Sequence, residues 1–322
     1  MRITKKHLIY RFSLIVVAII TGEMFARYYL GLGNPPLSVT HPTIEYMYKP
    51  NQDVYMFGNH FIINQYGMRT VPFAKNKENG EFRIMVFGDS VINGDNQTDH
   101  YDLATSLIQE SLTNAGYKNP IVGNISAGSW GPGNWLAYAK EYGFFDAGIV
   151  VLVISSHDYA DNPTFQPLNR NTHPIEKPVS ALLEGIERYL PRYLPQLGIN
   201  KSASETGHPS EEVNEGGAQK GIEDLKNFLE LARQQSQAVL VLQHFEKSEI
   251  DKHAANDGYQ RIKVACEQLG IFPISLEPYF RRSIESGANP YRDNIHPNKV
   301  GQQLIAEAIM SNMPNRRSSG LR

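Results

Sequence analysis

Gly88-Asp89-Ser90 follows directly on the apolar run Arg83-Ile84-Met85-Val86-Phe87, and Asp293-Asn294-Ile295-His296 stands about two hundred residues later. Together they offer a hydroxyl, an imidazole and a carboxylate, the set used by serine hydrolases. A neutral serine hydroxyl is a weak nucleophile and needs a base to take its proton as it attacks an ester carbonyl. His296 is the candidate base for Ser90. Asp293, three residues earlier, is placed to accept from the other ring nitrogen, fixing the tautomer and stabilising the imidazolium. The chain order, serine first and Asp-x-x-His last, differs from that of the chymotrypsin, subtilisin and α/β-hydrolase types. Asp89 reads as support for the turn, not as a second acid.

Such a set works only if a scaffold brings the two ends of the chain together. Five short apolar runs read as strands: Ile84-Phe87, Ile121-Ile125, Ile149-Ile154, Val239-Leu242 and Phe272-Ile274. Helical periodicity separates them at Leu103-Ala115, Trp135-Tyr142, Ile222-Gln235 and Asp257-Leu269, and a last helix runs from Asn298 to Met310. This alternation predicts a three-layer α/β/α, flavodoxin-like parallel sheet of about five strands. Ligands bind beyond the carboxyl ends of such strands, where Ser90 would stand exposed.

These blocks resemble the SGNH, or GDSL, hydrolase family, in its membrane-anchored, extracytoplasmic bacterial form. Pro297-Asn298-Lys299-Val300-Gly301 matches the family's H-P-x-x-x-G continuation, and Asn64-Gln65-Tyr66-Gly67-Met68-Arg69 is similar to an N-x-x-G-x-R element found ahead of the GDS block. The resemblance implies an oxyanion hole of three donors: the serine N–H, a second-block glycine N–H and a third-block asparagine amide. They map onto Ser90, onto Gly128 or Ser129, and onto His157, which stands in Ser155-Ser156-His157-Asp158 where the family has Gly-x-Asn-Asp. A histidine N–H can replace the amide, more strongly if protonated. The other readings of His157 are a structural polar residue or an impaired hole. If His157 donates, His157→Asn should keep activity and His157→Ala lose it with little change in folding. Asp158, Tyr159, Asp161 and Asn162 on the same loop are candidates for the rim.

Ahead of this domain, Arg2, Lys5, Lys6 and Arg11 flank the apolar run Phe12 to Gly22, which Met24 to Leu30 prolongs. The absence of small residues at a processing site favours an uncleaved anchor over a cleaved signal, and the basic flank places the rest of the chain outside the cytoplasm, periplasmic in a bacterium. The expected organisation is residues 1–32 as basic tip and transmembrane anchor, 33–80 as a β-rich arm, and 81–314 as the hydrolase domain. Within it, residues 162–221 form an insertion whose middle, Val179 to Leu190, reads as an amphipathic helix, either a cap over the site or a plain surface excursion, followed by a polar loop from Ser202 to Gln219. Residues 315–322 read as a disordered tail.

Composition narrows the function further. The 322 residues carry a formal net charge of -2 and 41% hydrophobic residues, with no basic stripe for nucleic acid. Cys266, the only cysteine, excludes an intramolecular disulfide and reads as a core residue. His100, His173, His208, His244 and His253 lack metal-ligand spacing, so neither metal nor cofactor is expected. Trp130 and Trp135 flank the second block, where an exposed aromatic would stack on sugar and a buried one would pack the core, the reading preferred for Trp135. The function expected is a membrane-anchored esterase removing acyl, chiefly acetyl, groups from envelope or secreted polysaccharide. Its partners would be the acylated carbohydrate, the lipid bilayer and polysaccharide-assembly proteins. The alternatives are an O-acyltransferase on the same glycans and a catalytically silent polysaccharide-binding or scaffold subunit.

Overall fold

The computed structural model describes residues 5–193 and 215–314. Strands β5 (Phe82–Gly88), β6 (Pro120–Ser126), β7 (Ile149–Ser155), β8 (Ala238–His244) and β9 (Ile274–Ser275) form one parallel sheet in the order β6-β5-β7-β8-β9. This is the doubly wound order of the flavodoxin-like type, with its switch point where the chain leaves β5 and returns at β6 on one side and β7 on the other. Every residue of β5 and β7 is buried, and apart from Arg83 and Ser155 these strands are built of apolar residues and glycine on both faces. β9 falls at the end of the run expected to form it, because Phe272 is 76% exposed and cannot join the sheet.

Side-chain alternation divides the core in two. Met85, Phe87, Val150, Leu152 and Ile154 point to one face. There they meet α4 (Pro132–Tyr142), α7 (Glu215–Gln235) and α9 (Asp257–Gln268) through Trp135, Phe228 and Ile262. Ile84, Val86, Val151 and Val153 point to the other face. There α3 (Ala104–Asn114), α10 (Glu277–Glu285) and α11 (Lys299–Asn312) supply Ile108, Phe280 and Ile305. Cys266 packs in the first of these cores, and burial pushes its thiol up to about 12. Both tryptophans are buried, Trp130 at 1% exposure and Trp135 at 0%, so neither offers a ring for sugar stacking. Trp130 instead donates Nε1–H to Tyr46 O at 3.0 Å.

Ahead of the sheet, α1 (Lys5–Tyr28) is a 24-residue helix long and apolar enough to cross a membrane, with Ala26 its only buried residue. Two antiparallel hairpins follow, β1 (Ser38–His41) with β2 (Glu45–Tyr48), and β3 (Gln52–Met56) with β4 (Asn59–Ile63). They lie on the large domain: Ile44, Tyr46 and Met47 enter its core, and Asn134 Nδ2 donates to Ile44 O at 2.7 Å. The insertion after β7 crosses back over the hairpins, with Ser38 N–H donating to Pro174 O at 2.7 Å and Glu45 Oε1 accepting from Thr164 N at 2.8 Å. A continuous helix then runs through α5 (Ala181–Glu184), a wide π-type segment (Gly185–Tyr189) and α6 (Leu190–Tyr193). Much of the polar stretch expected as a loop, and the expected tail 315–322, lie outside the described residues. The last part of that stretch, Glu215 to Gln219, is the first turn of α7 and not loop.

Candidate active site

Ser90 opens α2 (Ser90–Asn93), the short helix that turns the chain away from the end of β5. Asp89 shapes this turn by accepting Val91 N–H at 2.9 Å as the N-cap. Gly88 is required by proximity: a Cβ there would lie 2.7 Å from Ile92 Cγ2 and 2.9 Å from Val153 O. Three further contacts hold the turn from below. Trp135 Nε1–H donates to Gly88 O at 2.9 Å, Asn124 Nδ2–H to Ile92 O at 2.8 Å, and Gln302 Nε2–H to Val91 O at 2.7 Å.

His296 arrives on the loop between α10 and α11, and its Nε2 stands 3.0 Å from Ser90 Oγ. Its Nδ1 lies 2.8 Å from Asp293 Oδ2 and 3.0 Å from Oδ1, so Nδ1 carries the hydrogen and Nε2 is left to accept from the serine. Asp293 Oδ1 also accepts Ile295 N–H at 2.9 Å and His296 N–H at 2.8 Å. Burial alone would raise the Asp293 carboxyl, but these donors and the nearby imidazole hold it well below the usual range. Burial works against the charged form of His296, but the Asp293 hydrogen bond and the charges of Asp95 and Asp293 together outweigh it, so its basicity is raised. The loop is pinned from behind by His244, whose Nε2–H donates to Ile295 O at 2.8 Å. Burial pushes His244 down to about 4, which keeps it neutral.

On the other side of Ser90 lies a second histidine in a very different setting. His157 Nδ1 is 3.2 Å from Glu246 Oε1, and its Nε2 is 3.3 Å from Asp158 Oδ1 and 4.0 Å from Asp89 Oδ2. Burial opposes its charge, yet Asp158, Glu246 and Asp89 together push it up to about 10. His157 is therefore an imidazolium among carboxylates, more tightly engaged than an asparagine substitute acting alone. Asp158 is itself pushed up, by burial and by the Asp89 charge, with His157 acting the other way. Ligand atoms of Asp89, His157 and Asp158 fall within 4.8 Å of one another, close enough to share a cation. The charged imidazole already supplies positive charge at that point.

A pocket of about 300 Å³ opens over Ser90 and takes in Gly128, Ser129, His157 and His296. Ser129 is held in the left-handed conformation at φ 58°, whereas a Cβ on Gly128 would meet nothing within 4 Å. The expected rim residues Asp158 and Tyr159 are buried instead, at 0% and 6% exposure. The walls come from elsewhere: Pro36, Ser38, Tyr48 and Phe61 of the hairpins, and Thr172, His173, Arg188 and Tyr189 of the insertion.

Arg69, noted in the sequence only as part of a short motif, braces this wall. Its buried guanidinium donates to the carbonyls of Asn93, Asp95 and Thr98, the last at 2.5 Å, and lies 4.0 Å over the Phe61 ring. Gly67 in the same motif has φ +71°, and a Cβ there would collide with Met47 Cε at 2.2 Å. The tie between Arg69 and the segment after Ser90 had no local signal, because its partners lie 24 to 29 residues away.

The sequence matches the family of GDSL-like lipases and acylhydrolases over residues 84–309, well over half of the chain. The chain belongs to that family. It is an ester-hydrolysing enzyme with the SGNH fold. Solved structures similar to it include a G-D-S-L family lipolytic protein from Veillonella parvula, at 12% identity over 72% of this chain and 98% of that one, with a TM-score of 0.43. An acetylxylan esterase from Geobacillus stearothermophilus is similar at 13% identity over 74% and 95%, with a TM-score of 0.44. A lipase/acylhydrolase from Enterococcus faecalis is similar at 11% identity over 71% and 94%, with a TM-score of 0.42. No curated protein matches the chain.

Proposed function

We propose that this GDSL-family hydrolase is a membrane-anchored serine esterase that removes O-acyl groups, chiefly acetyl, from envelope or secreted polysaccharide. The observation that carries the proposal is the unbroken contact from Ser90 Oγ to His296 Nε2 at 3.0 Å and from His296 Nδ1 to Asp293 Oδ2 at 2.8 Å, opening on a pocket. In this reading Ser90 Oγ attacks the ester carbonyl while His296 Nε2 takes its proton. The oxyanion forms beside the N–H groups of Ser90 and of Gly128 or Ser129, with the His157 imidazolium adding positive charge. Collapse expels the sugar hydroxyl, which recovers the proton from His296, and leaves an acyl group on Ser90. Water, deprotonated by His296, then releases the carboxylic acid.

The pocket walls favour a hydroxylated substrate over a bare acyl chain. Asn96, Gln97, Thr172, His173 and Arg188 line it and can exchange hydrogen bonds with saccharide hydroxyls. Four cations before the apolar core of α1 support a cytoplasmic amino terminus and an extracytoplasmic pocket. The test is fluorophosphonate labelling of the full chain in detergent, read by intact mass, followed by acetate release from acetylated oligosaccharide. The expected result is one adduct, abolished in Ser90→Ala and His296→Ala, and acetate release that follows the adduct. A folded wild-type protein without an adduct would instead favour a silent glycan-binding subunit. An adduct with acetyl passed to a second sugar in preference to water would favour the transferase.

A further inference from the structure

The insertion helix that walls the pocket also touches the candidate membrane span. Glu23, near the end of α1, accepts Ser180 Oγ–H at 2.7 Å, Ala181 N–H at 3.0 Å and Leu182 N–H at 2.9 Å, so α1 caps the amino end of α5. Arg27 braces the junction, with Nη2 donating to Glu23 Oε1 at 2.6 Å and to Val179 O at 3.3 Å. This junction lies at the height where α1 ends in Tyr28 and Tyr29, exposed at 78% and 71%, the residue type that gathers at membrane-water interfaces.

From the junction the helix runs on with two unlike faces. Ala181, Glu184 and Tyr189 face the protein, where Glu184 Oε2 accepts Gly33 N–H at 2.5 Å and Tyr189 packs on Phe57 at 4.9 Å. Leu183, Ile186 and Leu190 stand on the other face at 55%, 48% and 43% exposure, with Val179 just ahead of them at 98%. Spacings of three and four residues put the three helix residues on one stripe. Leu182, beside this stripe, lies against Gly22 of α1, and Met24 and Phe25 next to that contact are themselves exposed, so the same solvent covers both surfaces. Glu187 is exposed on this side as well, which suits headgroup depth and excludes the hydrocarbon centre.

We infer that the helix from Ala181 to Tyr193 is an interfacial helix, lying on the outer surface of the bilayer with Val179, Leu183, Ile186 and Leu190 among the lipid headgroups. The inference rests on the membrane-anchored reading above, and adds to it that the insertion fixes the depth of the pocket. Arg188 and Tyr189, on the inner side of this helix, line the pocket over Ser90. The site is thereby held against the membrane and serves acyl esters displayed close to its surface.

A single introduced thiol tests this, because Cys266 is buried and leaves Ile186→Cys as the reactive site for an environment-sensitive fluorophore. The full chain is reconstituted in vesicles of phosphatidylethanolamine and phosphatidylglycerol carrying nitroxide lipids. Ile15→Cys serves as a mid-span reference, and Ala115→Cys, at the amino-terminal edge of the sheet, as an aqueous one. The expected result is that the label at position 186 loses most of its emission to a nitroxide near the headgroup, the label at 15 to a deep nitroxide, and the label at 115 to neither. A label at 186 that is quenched only by aqueous iodide would overturn the inference. So would one shielded from both iodide and lipid, which would mean that a second copy covers the face, or a label at 15 that no lipid nitroxide reaches. Fluorophosphonate labelling of Ser90 in the same samples reads the catalytic proposal separately, so either reading can fail without the other.

Discussion

Two histidines border the same pocket, and their neighbours give them opposite properties. His296 has one carboxylate on Nδ1 and a hydroxyl on Nε2, an arrangement that lets a proton arrive and leave. His157 has carboxylates around both nitrogens, from Glu246, Asp158 and Asp89, and holds its proton up to about 10. An imidazole becomes a base or a fixed cation according to how many carboxylates surround it. One partner raises basicity while leaving the ring exchangeable; three lock the charge.

The largest effects should separate the two. His296→Ala is expected to lower kcat/KM by about 10⁴-fold or more while leaving the melting temperature nearly unchanged, since the side chain acts on the reacting atoms. His157→Ala should do the reverse in emphasis. It strips the cation from Asp89 and Asp158, both buried and both raised by burial, which should cost up to roughly 3 to 5 kcal/mol and less where a carboxyl takes up a proton instead. A His157→Ala protein that unfolds at the wild-type denaturant midpoint would erase the contrast and return His157 to the role of a plain oxyanion donor. His157→Asn should fall between the two, keeping a donor but not the charge.

Dependence on pH sharpens the comparison next. If His296 is the base, activity should rise with pH on an acid limb set above 6.5, the ordinary histidine value, because Asp293 and Asp95 together raise His296 against its burial and the base must be neutral to act. Stability should move the other way. His157 is raised in the folded state, so its contribution is fully present below about 6.5 and lost as pH climbs through about 10. Asp158 is raised as well, and again the folded state binds the extra proton, so the sign is the same. Thermal melts between neutrality and pH about 10 should show this loss in the wild type and much less of it in His157→Asn. The smallest effect concerns Glu246, whose carboxylate is held low by its hydrogen bond to His157. Glu246→Gln should cost about 1.5 to 3 kcal/mol, the range for one hydrogen bond to a charged group, and should bring the alkaline loss to lower pH.

The sequence made the sheet readable because strands buried on both faces are mostly apolar, as β5 and β7 are apart from Arg83 and Ser155. Ser90, Asp293 and His296 could be singled out because serine chemistry would need those side-chain types and two of the three sit three residues apart on one loop; the structure brings all three within hydrogen-bond distance. The surroundings of His157 were not, since Glu246 lies 89 residues away and nothing local marks it as a partner. The same holds for Arg69 and for the hairpins, whose β-rich character was visible but whose place in the pocket wall depends on distant contacts. Trp130 was misleading because a tryptophan in a glycine-rich stretch gives no sign of which side faces the solvent. The start of α7 was missed because Glu215 to Gln219 holds no large apolar residue, the helix there being carried by the packing of Ala218 and Gly221.

Gln302 links parts of the chain made at very different times. Its side chain donates to Val91 O at 2.7 Å and accepts Ala104 N–H at 3.0 Å, so the last helix stitches together the segments that follow the nucleophile. Ser90 and His296 are 206 residues apart, an interval of roughly 10 to 40 s at ordinary translation rates of about 5 to 20 residues per second. Throughout that interval a nascent chain carries Ser90 without its proposed base and without the Gln302 contact that steadies its turn. The contact between Ser90 and His296 therefore cannot form until the carboxyl-terminal part of the chain has been made.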